Sequence, residues 1–189
     1  MATAKVLLWC FCLAAFGGHW LSDSGTLKGG TNDDKRRNKS GFWMQTAGNG
    51  REAAVLRAAQ GEIGVRETSE NAGPDVDRYG RYVGFKKIPW CAAFCSWCFG
   101  QAGCPQPRTA WSPALFPAGR LTKTARPGMI FGIYFPKLKR IGHCGLVESV
   151  RDDWIVGIEG NTNLSGSRDG DGVYRKWRHK RGIQVYARW

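Results

Sequence analysis

The chain has 189 residues, is 42% hydrophobic, and carries a formal net charge of +13. That length bounds it to one domain plus a short leader, with enough chain after Gly50 for a self-supporting core. The charge excludes a cation-collecting surface and leaves nucleic acid, anionic lipid and an anionic cell envelope as partners that it alone does not separate.

In chain order, Lys5 precedes an apolar run over residues 6–16, which Gly17, Gly18 and His19 close. Residues 1–20 therefore read as a signal peptide or N-terminal anchor, so the protein is expected to be exported, periplasmic or extracellular, and membrane-associated if the segment is retained. The run is short for a transmembrane span, and a buried N-terminal strand or helix is the plain alternative. Residues 21–50 are rich in Gly, Ser, Asn, Asp and basic residues without an apolar period, and are read as a flexible linker. The folded domain is assigned to residues 51–189, which hold 22 Lys or Arg against 12 Asp or Glu.

Within that domain, residues 51–60 form a strong helix with Val55, Leu56 and Ala59 on one side, ending at Gly61 or Gly64. A second short helix is expected over 74–82, with Pro74 in its first turn and Val76, Tyr79 and Val83 at helical spacing. A third begins at or just before Cys91 after the rigid approach of Pro89, and stops around Gly103. Prolines 105, 107, 113 and 117 mark a loop region. Short strands follow over 129–135, 144–150, 154–158, 173–177 and 183–187, with a hairpin turn at Arg151, Asp152 and Asp153. Helices followed by a small antiparallel sheet make an α+β layout, with the helices packed on one face of the sheet.

Three residues fall where thiol chemistry needs them. Cys91 starts a helix, whose free N–H groups and dipole favour a thiolate. His143, flanked by Gly142 and Gly145 at the start of a strand, is placed to take and return a proton. Glu159, at the end of the next strand, can accept from the ring's other nitrogen and fix its tautomer; Asn161 is a second candidate for that task, or a partner that steadies the site. The amide of Cys91, in the unpaired first turn, faces a developing oxyanion. The plain alternatives are a small buried cysteine and a structural strand histidine.

The segments carrying these residues are more specific together. Ile63-Gly64-Val65-Arg66-Glu67, then Asn71 through Tyr79, then Pro89-Trp90-Cys91-Ala92-Ala93-Phe94-Cys95-Ser96-Trp97 resemble the CHAP family of cysteine, histidine-dependent amidohydrolases and peptidases. So do Arg126-Pro127-Gly128-Met129-Ile130, Gly142-His143-Cys144-Gly145-Leu146-Val147 and Glu159-Gly160-Asn161-Thr162-Asn163. The resemblance spans residues 53–188 and implies the papain-like fold shared with the NlpC/P60 group. It puts the nucleophile on Cys91, the base on His143, the orienting acid on Glu159 and a polar site residue on Asn161. It further implies hydrolysis of bacterial peptidoglycan without metal or cofactor, at either the N-acetylmuramoyl–L-alanine amide or a bond of the stem or cross-bridge. Cys95 and Met129 depart from the family pattern, where a plain hydrophobic residue and an acidic residue are more usual.

Other features are left over. Residues 91, 95 and 98 share a helix face, so a zinc site of Cys91, Cys95, Cys98 and His143 is a rival, although helical spacing does not suit a structural zinc knuckle. In an exported chain, Cys98 and Cys104 are a locally plausible disulfide. Trp90 is expected to line the substrate groove, while Phe94 and Trp97 are expected to pack the helix. Basic clusters at Lys86 and Lys87, at 137–140 and at 175–181 read as a solvated face or as an electrostatic guide to anionic envelope polymers. Tyr174 and Trp177 among them also admit stacking on bases, but no zinc finger, helix-turn-helix or single-strand-binding signature accompanies them, so no specific nucleic-acid partner is expected. The rival functions are thus a papain-like protease acting on proteins and a non-catalytic basic module binding envelope or nucleic acid.

Overall fold

The computed structural model describes residues 50–165 and 170–189. The N-terminal segment and most of the linker expected from the sequence lie outside the described residues.

Helix α1 (Arg51–Gly61) buries Ala53, Val55, Leu56 and Ala59, the apolar stripe of an alanine-rich segment with Glu52 in its first turn. Helix α2 (Asp77–Val83) starts three residues later than the apolar spacing predicts. The Asp77 carboxylate accepts from the Gly73 amide at 3.2 Å, and the Asp77 amide donates to the Gly73 carbonyl at 2.8 Å. That reciprocal pair closes residues 74–76 into a turn, and helix begins only beyond it. Helix α3 (Cys91–Gln101) is apolar nearly all round, because it lies between α1, α2 and the sheet. Gly103 follows in the left-handed conformation (φ 76°), and the Cys104 amide returns to the Phe99 carbonyl at 2.9 Å, which closes the helix end.

The sheet is antiparallel throughout, with strands β1 (Leu121–Thr122), β2 (Ile130–Phe135), β3 (Arg140–Arg151), β4 (Trp154–Thr162), β5 (Gly172–His179) and β6 (Val185–Ala187) in the order β1-β6-β2-β3-β4-β5. Alternation divides its faces. Ile130, Cys144, Leu146, Ile158 and Val173 pack against the helical layer. Met129, Phe131, Val147, Ile155 and Tyr186 form a second, smaller core with Ile183. The fold is papain-like α+β, with the helices packed against one face of an antiparallel sheet.

Four sheet details differ from the sequence reading. The two-residue β1 carries too little pattern to read, and exists by pairing with β6. β3 begins at Arg140 rather than 144, because Phe135 pairs with Arg140 across a turn in which Lys139 is left-handed (φ 50°). β4 runs on to Thr162, so Glu159 sits inside the strand instead of at its end, and His143 is likewise interior to β3. Residues 180–182 form a 3-10 turn, with the Ile183 amide bonded to the Lys180 carbonyl, which delays β6 to Val185.

Candidate active site

The N-terminus of α3 meets the centre of β3 and β4. Gly160 permits that approach: a Cβ there would lie 2.6 Å from the Trp90 ring and 2.7 Å from Phe94. Gly145 serves the sheet side, since a Cβ on it would lie 2.7 Å from Glu159 Cγ and 2.8 Å from the Phe131 ring. These two bare backbones leave room for a carboxylate beneath the strand surface and bring the strands up to the helix.

Glu159 is fully buried and held by two groups. Arg178 clamps it through two hydrogen bonds, Nε to Oε1 at 2.8 Å and Nη2 to Oε2 at 2.6 Å. His143 Nε2 lies 2.8 Å from Oε2. Burial works against the carboxylate, but Arg178 and His143 outweigh it and hold its pKa at about 2. An ionised carboxylate only accepts, so the proton of a neutral His143 sits on Nε2 and leaves Nδ1 as the basic nitrogen. The Cys91 thiol borders the same hollow as the imidazole, and each acts on the other's protonation. Burial pulls the His143 pKa down, while the neighbouring Cys91 and Glu159 raise it to about 9.

Cys91 is 5% exposed and borders two hollows at the surface. A contact with Cys144 and burial push its thiol pKa up, and the His143 ring pulls the other way. Its sulfur lies 3.5 Å from the Ser112 hydroxyl, which belongs to a 3-10 turn (Ser112–Leu115) packed on β3. Such a constellation places a thiol at a helix start, an imidazole against it and a carboxylate behind the imidazole. Chemically it can abstract the thiol proton, deliver it to a leaving group and stabilise the imidazolium between the two steps.

Asn161 does not hold the His143 ring. Its side-chain oxygen accepts from the Trp90 amide at 3.2 Å, and its Nδ2 donates to Glu67 Oε1 at 3.2 Å, Asn71 Oδ1 at 3.4 Å and the Gly170 carbonyl at 3.3 Å. Its φ of 53° turns the side chain onto the approach to α3, so it braces the nucleophile's backbone. The expectation that Trp90 lines the groove is corrected. Trp90 is 1% exposed, stacks on Tyr79 with ring centroids 5.3 Å apart, and donates its indole N–H to Glu67 Oε1 at 2.5 Å. The neighbouring Pro89 borders the hollows in its place. The Cys98–Cys104 disulfide is corrected as well, because both are free thiols: Cys98 is packed in the helical core and Cys104 Sγ points to the Ala102 carbonyl at 3.8 Å. The rival zinc set does not assemble, since among the described residues no three His, Cys, Asp or Glu side chains converge as metal ligands.

Three participants escape the sequence reading. Ser112 carries no local signature. Glu67, which accepts from both Trp90 and Asn161, lies in the 63–67 motif with no local signal of that role. Arg178 was hidden in the basic run, although the strand pairing sets it opposite Ile155, on the Glu159 face of β4.

The hollow shared by Cys91 and His143 measures about 300 Å³, and one on the other side of Cys91 about 380 Å³. Larger hollows of about 800 and 930 Å³ lie around β1 and β6, away from the reactive groups. Fold and site together define a papain-like cysteine hydrolase arrangement. Residues 82–161 match the CHAP domain family. In addition, the chain is similar to two solved structures, "The crystal structure of Ly7917" at 15% identity and TM-score 0.44, and "The crystal structure of Ly7917 with the hydrolyzing product of MDP" at 16% and 0.41. Each similarity covers 71% of this chain, and the chain spans 60% and 61% of those structures' lengths. No curated protein matches.

Proposed function

We propose that this protein is a peptidoglycan hydrolase that cleaves an amide bond with Cys91 as nucleophile, His143 as base and acid, and Glu159 as the group that orients the imidazole. The observation that carries the reading is the 2.8 Å bond from His143 Nε2 to a buried, Arg178-clamped Glu159, on a ring that shares a surface hollow with the thiol at the start of α3. The match of residues 82–161 to the CHAP domain family supports this substrate class. The net charge of +13 suits an anionic wall. The apolar segment over residues 6–16 suits an enzyme that works outside the cytoplasm, where that wall lies.

In the cycle, Nδ1 of His143 takes the Cys91 proton as sulfur bonds to the amide carbonyl carbon. The Cys91 amide, with the Ser112 hydroxyl nearby, receives the negative charge that develops on the carbonyl oxygen. The C–N bond then breaks, the nitrogen leaves with the proton from His143, and a thioester remains. Water, deprotonated by His143, adds to the thioester; the C–S bond breaks, and the sulfur regains its proton. Glu159 carries no proton in any step. It holds the ring and offsets the imidazolium charge.

The test is clearance of purified cell walls by Cys91→Ser and His143→Ala. Both should lose turnover by at least about a hundredfold, the scale of general-base and nucleophilic contributions, while Cys91→Ser keeps the wild-type melting temperature. Clearance by Cys91→Ser at the wild-type rate defeats the assignment.

A further inference from the structure

The two hollows that meet at Cys91 differ in chemistry. Cys91, Pro89, Arg140 and Gly142 border both. His143 lines only the first, with Glu67, Glu70, Asn71 and Asn161. The second lies on the Ser112 side and is walled by Phe85, Ile88, Ala110 and Trp111. The reaction makes this asymmetry directional. The departing nitrogen must receive its proton from His143, so the amine half of the substrate lies in the first hollow. The acyl carbon stays on sulfur, and its substituent extends into the second.

In that acyl-side hollow two aromatic side chains face solvent. Phe85 is 54% exposed and Trp111 is 53% exposed. The Arg140 guanidinium lies 4.1 Å from the Trp111 ring centroid and is anchored by a 2.9 Å bond to the Ile141 carbonyl, so the indole is held in place although it is open to water. A fixed indole and a phenyl ring beside a guanidinium suit a ligand with a flat apolar face and a polar rim. A pyranose offers both: its C–H face packs on aromatic rings, and its hydroxyl and N-acetyl oxygens accept from a guanidinium.

We infer that Phe85 and Trp111 form the acyl subsite and that it binds the muramoyl sugar, so that the bond cut joins the sugar's lactyl carbonyl to the first amino acid of the stem peptide. This rests on the hydrolase reading above and narrows it to the amidase reaction. The acyl halves of bonds within the stem or cross-bridge present amino-acid chains, which make little use of two open rings.

The experiment is digestion of purified cell walls by the full chain, with mass spectrometry of the released peptides, beside kinetics on a muramoyl-peptide and on the same peptide carrying acetyl in place of the sugar. The expected products are stem peptides with a free N-terminal alanine, and the acetyl peptide should be a far poorer substrate. Trp111→Ala should lower kcat/KM on the muramoyl-peptide about tenfold, the equivalent of about 1.4 kcal/mol of lost binding, mainly through KM, with its melting temperature unchanged. Phe85→Ala should fall in the same direction. New N-termini inside the stem or cross-bridge, equal rates on the two soluble substrates, or a Trp111→Ala enzyme equal to wild type each overturn the subsite. A wild-type enzyme that opens neither walls nor soluble substrates defeats the hydrolase reading itself.

Discussion

At the residue scale, the site is a relay of charge in which each group sets the next. Arg178 keeps Glu159 ionised, Glu159 keeps the proton on His143, and His143 faces the thiol. In the proposed cycle, His143 must be neutral before it can accept the thiol proton. Its pKa of about 9 therefore predicts that kcat/KM rises with pH through an inflection near 9, and that Glu159→Gln moves the inflection towards the ordinary imidazole value. A wild-type profile already level by neutral pH contradicts this. The same shifts govern stability. His143, raised from 6.5 to about 9, contributes stability that is complete below 6.5 and is lost as pH rises through about 9. Glu159, lowered from 4.5 to about 2, contributes stability that is present above 4.5 and is lost as pH falls towards about 2. Thermal melting temperatures measured against pH should accordingly be highest between 4.5 and 6.5 and fall off on both sides.

At the element scale, reactivity depends on how closely β4 can lie against α3. Gly160 makes that contact with Trp90 and Phe94, two rings in the helical core that have nowhere to move. Gly160→Ala should lower stability by about 1–3 kcal/mol, the usual cost of overpacking, seen as a lower urea midpoint. It should also lower wall clearance, because β4 carries Glu159 away from its partners as it shifts. An unchanged midpoint would mean that the strand is not in fact pressed on the helix. Asn161, Glu67 and Trp90 tie together the same two elements by hydrogen bonds, so the start of α3 is fixed from its backbone as well as from its side chains.

At the scale of the whole molecule, the positive charge is less available than its total suggests. In the basic run near the C-terminus, Arg175 is paired with Glu148, and Arg178 with Glu159. Exposed Trp177 stands between them. The net positive charge nonetheless favours polyanions, and its field is screened by salt. Sedimentation of the Cys91→Ser protein with purified walls should therefore fall steadily as sodium chloride rises from low to molar concentration, and salt-independent retention would point to a built binding site instead. Among the described residues no helix is long and apolar enough to cross a membrane.

The sequence alone determined what local chemistry can encode. The alanine-rich α1, the start of α3 at Cys91 and the alternating strands are written in residue type and spacing, and motif order was enough to pair Cys91 with His143 and Glu159 across the chain. Only the tertiary structure decided the rest, because it depends on which side chains meet at long range. Arg178 looked like one more surface cation until the β4–β5 register set it against Glu159. Trp90 looked like a groove wall until its neighbours Tyr79 and Glu67 drew it into the core. Ser112 sits in a 3-10 turn that packs on β3 and α3, and Phe85 and Trp111 reach one hollow from separate loops, so their place beside Cys91 is written nowhere in their own segments.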